Sequence, residues 1–288
     1  MIQRLDSKYF LINNQIGFIQ GRLSPIRNER IQSFPWDHWA NEFKLAEELE
    51  FKKIEWTIDS ERFLENPILT VKGQKEIKRL LQVHGLQIPS VTCDYFMENP
   101  FWQSSETLIR NDLMRIMDGM NQIGAKILVI PLVDNSSLSG YGESNNVIDF
   151  FTSFKMELLE KDIKIAFESD LAPSPLLTFI SNFDSEKFGV KYDIGNSASI
   201  GYSPNEEFMA YGPRIINVHI KDRLYGGSTV PLGEGSADFH AVFNLLNLFN
   251  YNGNLIMQTA RSKNENHGEV LVDYRKLMFK WIEDSASV

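Results

Sequence analysis

Eight times along the chain, a short run rich in β-branched residues gives way to a longer segment with apolar residues at helical spacing. The runs predict strands over 16–20, 53–57, 88–93, 127–132, 163–168, 189–193, 215–220 and 255–258. The spacing predicts helices over 36–50, 70–84, 106–123, 146–161, 174–182, 204–211, 239–249 and 268–282. Eight strand–helix alternations in ~250 residues is the count of a single (β/α)8 barrel, an α/β fold. A doubly wound sheet is the rival, and it would normally carry a phosphate-binding glycine fingerprint. Neither G-x-G-x-x-G nor G-x-x-x-x-G-K-[ST] occurs, and no low-complexity linker divides the chain. One domain over 1–288 is expected.

In such a barrel the C-terminal ends of different strands converge on one mouth, where function is placed. The fifth run ends in Glu168, the sixth in Asp193, the seventh in His219 and the eighth in Gln258. Two carboxylates, one imidazole and one amide oxygen suit Mn²⁺, Mg²⁺, Co²⁺ or Zn²⁺. Taken singly, each has a plainer reading. Glu168 can cap the next helix, Asp193 can start an Asx turn before Gly195, and a lone strand-end histidine is commonly structural. Their recurrence at four successive strand ends favours a site.

Composition trims the field of functions. Lys and Arg total 29 against 38 Asp and Glu, a net charge of −9. A surface of that sign repels nucleic acid and anionic membrane, leaving a small molecule as the expected partner. Cys93 is the only cysteine, which excludes an internal disulfide framework and a cysteine-only zinc site. No stretch approaches the ~20 apolar residues of a membrane-spanning helix, and the first residues lack a signal-peptide layout. A cytoplasmic location is expected, and a homo-oligomer is compatible with everything read so far.

The same strand ends carry a family resemblance. Ala166-Phe167-Glu168, Asp193-Ile194-Gly195-Asn196, Val218-His219-Ile220-Lys221-Asp222, and Val230-Pro231-Leu232-Gly233-Glu234-Gly235 with Asp238-Phe239 resemble the xylose isomerase-like TIM-barrel superfamily. The match is to its sugar phosphate isomerase/epimerase branch, which includes L-ribulose/L-xylulose-5-phosphate 3-epimerases and hexulose-6-phosphate isomerase-like proteins. Ile54-Glu55-Trp56 resembles the second-strand glutamate of that family. The resemblance implies one divalent metal held by a glutamate, an aspartate, a histidine and a final glutamate, with the two glutamates acting as acid and base. Glu168, Asp193 and His219 match that set. Gln258 departs from it, keeping a ligating oxygen while losing a charge and a proton-transfer group.

The implied reaction acidifies a sugar C–H beside a carbonyl and passes through an enediolate. Glu168 is the expected general base. Epimerisation needs proton donors on opposite faces of the enediolate, whereas aldose–ketose isomerisation can return the proton on one face. Because Gln258 cannot titrate, isomerisation is preferred to 3-epimerisation, unless Glu234 or Lys221 supplies a second proton. Lys221, Arg223 and Arg261 are expected to form an anion cluster for a sugar phosphate, or else to pair with Asp222 and Glu234. Asn196, Glu234 and Glu55 are further expected substrate contacts. Gln20-Gly21-Arg22, Asp94-Tyr95-Phe96 and Trp102 are candidates to wall the pocket. A catalytically silent sugar-binding relative is the alternative that Gln258 makes respectable. An endonuclease for abasic DNA shares the superfamily, but it needs several histidine-bound metals and a basic groove. Five histidines and the charge of −9 argue against it.

Overall fold

In the computed structural model, which describes residues 14–285 except 28, 29, 104, 139 and 263, eight parallel strands close into one ring. Their order is β1 (Ile16–Ile19), β10 (Asn254–Met257), β7 (Ile215–Ile220), β6 (Phe188–Asp193), β5 (Lys164–Ser169), β4 (Ile127–Leu132), β3 (Ser90–Cys93) and β2 (Lys53–Ile58), which returns to β1. A short antiparallel ladder, β8 (Asp222–Arg223) with β9 (Thr229–Val230), stands outside the ring. The chain is therefore a TIM barrel. No helix among the described residues is long and apolar enough to cross a membrane.

The outward face of the strands supplies the core. Trp56, Ile58, Val91, Leu128, Ile130, Phe167, Val190 and Met257 are buried there beneath the helices. The helix Glu106–Ile123 shows why the segment is helical: Ile109, Leu113, Ile116, Met117, Met120 and Ile123 line one stripe and are all buried. It stops at Gly124, whose φ of 82° only glycine adopts freely.

Two helices differ from expectation. The segment expected over 146–161 is two helices, Tyr141–Thr152 and Lys155–Lys161. At the break the Ser153 hydroxyl donates to the Phe150 carbonyl, a local bond that competes with the helix ladder. The segment expected over 36–50 becomes helical only at Asn41. Before it, turns folded back onto the Pro35 carbonyl bring Trp36 against Phe34 and Trp39 against Trp56.

The inward face is unusual for this architecture, whose interior is normally filled by branched aliphatic side chains. The register runs Thr57 beside Thr92, Thr92 beside Val129, Val129 beside Ala166 and Ala166 beside Gly189. It continues with Lys191 beside Asn217, Asp193 beside His219 and His219 beside Ile256. Residues two apart share a face. Glu55, Ser90, Lys191 and Asn217 therefore also point inward, all of them buried.

Candidate functional site

Glu168, Asp193, His219 and Gln258 all lie at the C-terminal ends of β5, β6, β7 and β10, around one mouth. A fifth residue, unmarked by the sequence reading, joins them. Lys191 sits two positions before Asp193 on β6, and its Nζ donates to Glu168 Oε1 at 2.8 Å and to Asp193 Oδ2 at 2.9 Å. Burial would strip the proton from this amine, but the two carboxylates outweigh it and hold its pKa above the ordinary lysine value. Asp193 answers in kind. Burial works against its charge, yet Lys191 and Lys221 keep the carboxyl well below its usual range. Its other oxygen accepts the Asn196 N–H at 2.9 Å and so caps the helix Ile194–Ile200.

His219 is turned toward Glu55. Its Nε2 lies 2.6 Å from Glu55 Oε1 and its Nδ1 3.1 Å from Gln258 Oε1. Glu55, expected as a substrate contact, is wholly buried. It accepts from Ser90 Oγ and Thr92 Oγ1 at 2.6 Å each and from Asn217 Nδ2 at 2.8 Å. Burial alone would raise its pKa. The His219 ring and the two hydroxyls instead pull it down to about 2. Glu55 is therefore a hub inside the barrel, tied to the mouth through His219.

Asn196 joins the acidic and basic sides of the mouth. Its Nδ2 donates to Glu168 Oε1 at 2.7 Å, while its Oδ1 accepts from Lys221 Nζ at 3.0 Å and Arg223 Nη1 at 2.9 Å. Lys191 and Asn196 thus both hold one Glu168 oxygen. The other, Oε2, takes no hydrogen bond among the described residues. Gly195 permits this close approach, since a Cβ there would stand 2.8 Å from Lys221 Cγ. Lys221 and Arg223 converge as expected, although neither pairs with Asp222 or Glu234 among the described residues. Asp222, wholly buried, accepts the N–H groups of Gly233 and Gly235 at 2.9 Å and of Ala237 at 3.2 Å. It ties down the loop that carries the exposed Glu234.

Arg261 stands apart from Lys221 and Arg223. It donates to the Ser24 carbonyl and lies near His267. Arg22 bonds to the Thr259 carbonyl, so the β1 and β10 strand ends form a second basic corner. Asp94, the residue after β3, is partly buried. Burial and the Glu168 charge push its carboxyl up to about 7. Trp102 packs half-buried on the core.

The donor set expected for a divalent ion is not assembled. An ammonium lies between Glu168 and Asp193, both His219 nitrogens have partners, and Gln258 is spent on His219. Among the described residues no group of three or more His, Cys, Asp or Glu could hold a metal ion. Mn²⁺, Zn²⁺, Mg²⁺ and Co²⁺ all require ligands free to converge.

The model of one family, the xylose isomerase-like TIM barrel, matches residues 43–277. The chain belongs to that family. Within it, the chain is 23% identical over 268 residues to a Haemophilus influenzae protein provisionally named an L-ribulose-5-phosphate 3-epimerase, covering 85% of this chain and 92% of that one. It is also 23% identical over 227 residues to an inosose dehydratase of Clostridium botulinum, covering 66% of this chain and 74% of that one. Among solved structures, a xylose isomerase-like TIM barrel protein from Mycobacterium smegmatis in complex with magnesium superposes with a TM-score of 0.70. It is 17% identical, over 96% of this chain and 98% of that one. Xylose isomerase-like barrels thus include magnesium-bound members, and this member places a lysine between its strand-end carboxylates.

Proposed function

We propose that this chain is an isomerase or epimerase of a sugar or sugar phosphate, moving a proton at a carbon beside a carbonyl with Glu168 as the proton carrier. The observation that carries the reading is the asymmetry of the Glu168 carboxylate. Lys191 and Asn196 fix Oε1 in place, leaving Oε2 without a partner among the described residues, at the mouth of the barrel. A base held in one orientation is suited to take a C–H proton and return it. The named relatives support the substrate class: one is provisionally named for L-ribulose 5-phosphate and the other is named for inosose.

Proton removal from the substrate carbon gives an enediolate. Returning that proton from Glu168 to the neighbouring carbon, on the same face, while the adjoining hydroxyl passes its proton to the former carbonyl oxygen, completes an aldose–ketose isomerisation. Gln258 offers no second proton carrier, so isomerisation is favoured over 3-epimerisation. Lys221 and Arg223, gathered on Asn196, put positive charge beside the base, where an enediolate oxygen or a phosphate would be stabilised.

The test is a panel of aldoses, ketoses, their terminal phosphates and cyclic keto-polyols, incubated in D₂O and followed by proton NMR. The expected result is solvent exchange at the carbon beside one substrate's carbonyl, slowed ~10²–10⁴-fold by Glu168→Gln. A silent sugar-binding relative, the alternative that Gln258 raises, would show a ligand-induced rise in Tm with no exchange. That outcome would overturn the isomerase.

A further inference from the structure

We infer that the Lys191 ammonium occupies the place of the divalent cation in this chain, so that the Glu168–Asp193 pair is organised by a protonated amine and takes up no stoichiometric metal. The inference rests on Glu168 and Asp193 being the centre of the site, and it holds whether or not a sugar is turned over.

Three observations carry it. The first is reach. Lys191 and Asp193 share the inward face of β6, and a four-carbon stem spans roughly their two-residue rise of about 6.6 Å. The Nζ therefore arrives at the level of the Asp193 carboxylate, 2.9 Å from Oδ2 and 2.8 Å from Glu168 Oε1. Continuing the register one step beyond Phe167 beside Val190 sets Glu168 next to Lys191 across the sheet. The second is the fate of the nitrogen ligand. His219 spends Nε2 on Glu55 and Nδ1 on Gln258, leaving no ring nitrogen for an ion. The third is charge. Set against the ligand set that the family resemblance implies, the chain loses one negative charge, at Gln258. Exchanging a dication for an ammonium loses one positive charge, so the net charge of the centre is unchanged. The lysine and the glutamine make sense as a pair.

A dication entering between the two carboxylates would have to displace an ammonium whose side chain is only 1% exposed. Moving that charge aside into the barrel would leave it buried and unpaired, which is costly. Lysine, unlike a bound ion, cannot dissociate, so the centre stays assembled in a chelator.

The experiment uses the full chain, expressed in medium supplemented with Mn²⁺ and Zn²⁺. Metal content is measured by mass spectrometry after dialysis, and Mn²⁺ binding by electron paramagnetic resonance. The wild type is expected to retain only a small fraction of one equivalent, with a Tm indifferent to Mn²⁺ or a chelator. The double variant Lys191→Met/Gln258→Glu is expected to gain saturable Mn²⁺ binding and a Tm that rises with the ion, as linkage requires. Close to one equivalent of metal in the wild type, undiminished by dialysis, would overturn the inference even if no variant folds. A folded double variant that still refuses the ion would overturn it too. Both readouts are independent of turnover, so a sugar panel that shows no exchange leaves them standing.

Discussion

The His219 Nε2 and the Glu55 Oε1, 2.6 Å apart, bind the mouth of the barrel to its buried interior across 164 residues of sequence. This contact and the Gln258 amide oxygen occupy both nitrogens of the imidazole. The contact also explains how a fully buried carboxylate survives: Ser90, Thr92, Asn217 and His219 together satisfy Glu55.

Replacing Glu55 by Gln removes the charge that these four residues are arranged around. The expected loss is ~3–5 kcal/mol, as for breaking a buried charged network. The pH dependence has a definite sign. The Glu55 carboxyl lies at about 2 in the fold against 4.5 ordinarily, so its stabilisation is present above 4.5 and is lost as pH falls toward 2. Urea unfolding between pH 7 and pH 3 should show the wild type weakening below 4.5 and the gap to Glu55→Gln narrowing there.

Asp94 behaves in the opposite way. Its carboxyl is raised from 3.8 to about 7, so ionisation costs stability as pH climbs through that window. Asp94→Asn should be more stable than the wild type at pH 8, by an amount of the order of 2 kcal/mol after allowing for its partial exposure. Below pH 4 the advantage should vanish. Paired urea titrations at pH 8 and pH 4 check it, and an equal gain at both would refute the ionisation account.

Glu168→Gln keeps the size of the side chain and removes its basicity. Loss of a positioned general base costs ~10²–10⁴ in rate, so exchange should fall by that factor on whichever substrate the panel identifies. The effect should appear in kcat with little change in KM, since Asn196, Lys221 and Arg223 remain to bind.

Asp222→Ala should release the loop over 224–237. Three backbone N–H groups lose their acceptor, and leaving such groups unmet costs ~1–3 kcal/mol each where they remain buried. Limited proteolysis should then cut within 224–237 in the variant and spare the wild type. A small side chain at 235 tests the same anchor, because a Cβ on Gly235 would stand 2.1 Å from Asp222 Oδ1.

Much of this was legible in the order of residues. The strands over 127–132 and 215–220 and the helices over 106–123 and 204–211 stand where the periodicity puts them, because burial on one face of a strand or helix imprints its period locally. The convergence of Glu168, Asp193, His219 and Gln258 follows from strand-end position alone once the barrel is assumed. Lys191 was legible in principle, since Lys191-Tyr192-Asp193 places a lysine on the same strand face as the aspartate. The terminal residues of the strands do not mark it. The same period-two signal runs through Lys53-Ile54-Glu55, Ser90-Val91-Thr92 and Asn217-Val218-His219, where polar residues alternate with buried apolar ones.

The sequence by itself determined the architecture and which side chains face inward, because both follow from local periodicity and the hydrophobic burial it serves. The tertiary structure alone decided what those inward side chains do to one another. Glu55 meets Asn217 and His219 only because β2 and β7 face each other across a closed ring, 162 and 164 residues apart along the chain. Whether His219 turns to a metal or to Glu55, and whether Lys191 lies idle or bridges two carboxylates, depends on distances across the barrel interior. Strand closure and register set those distances, and no local pattern carries them.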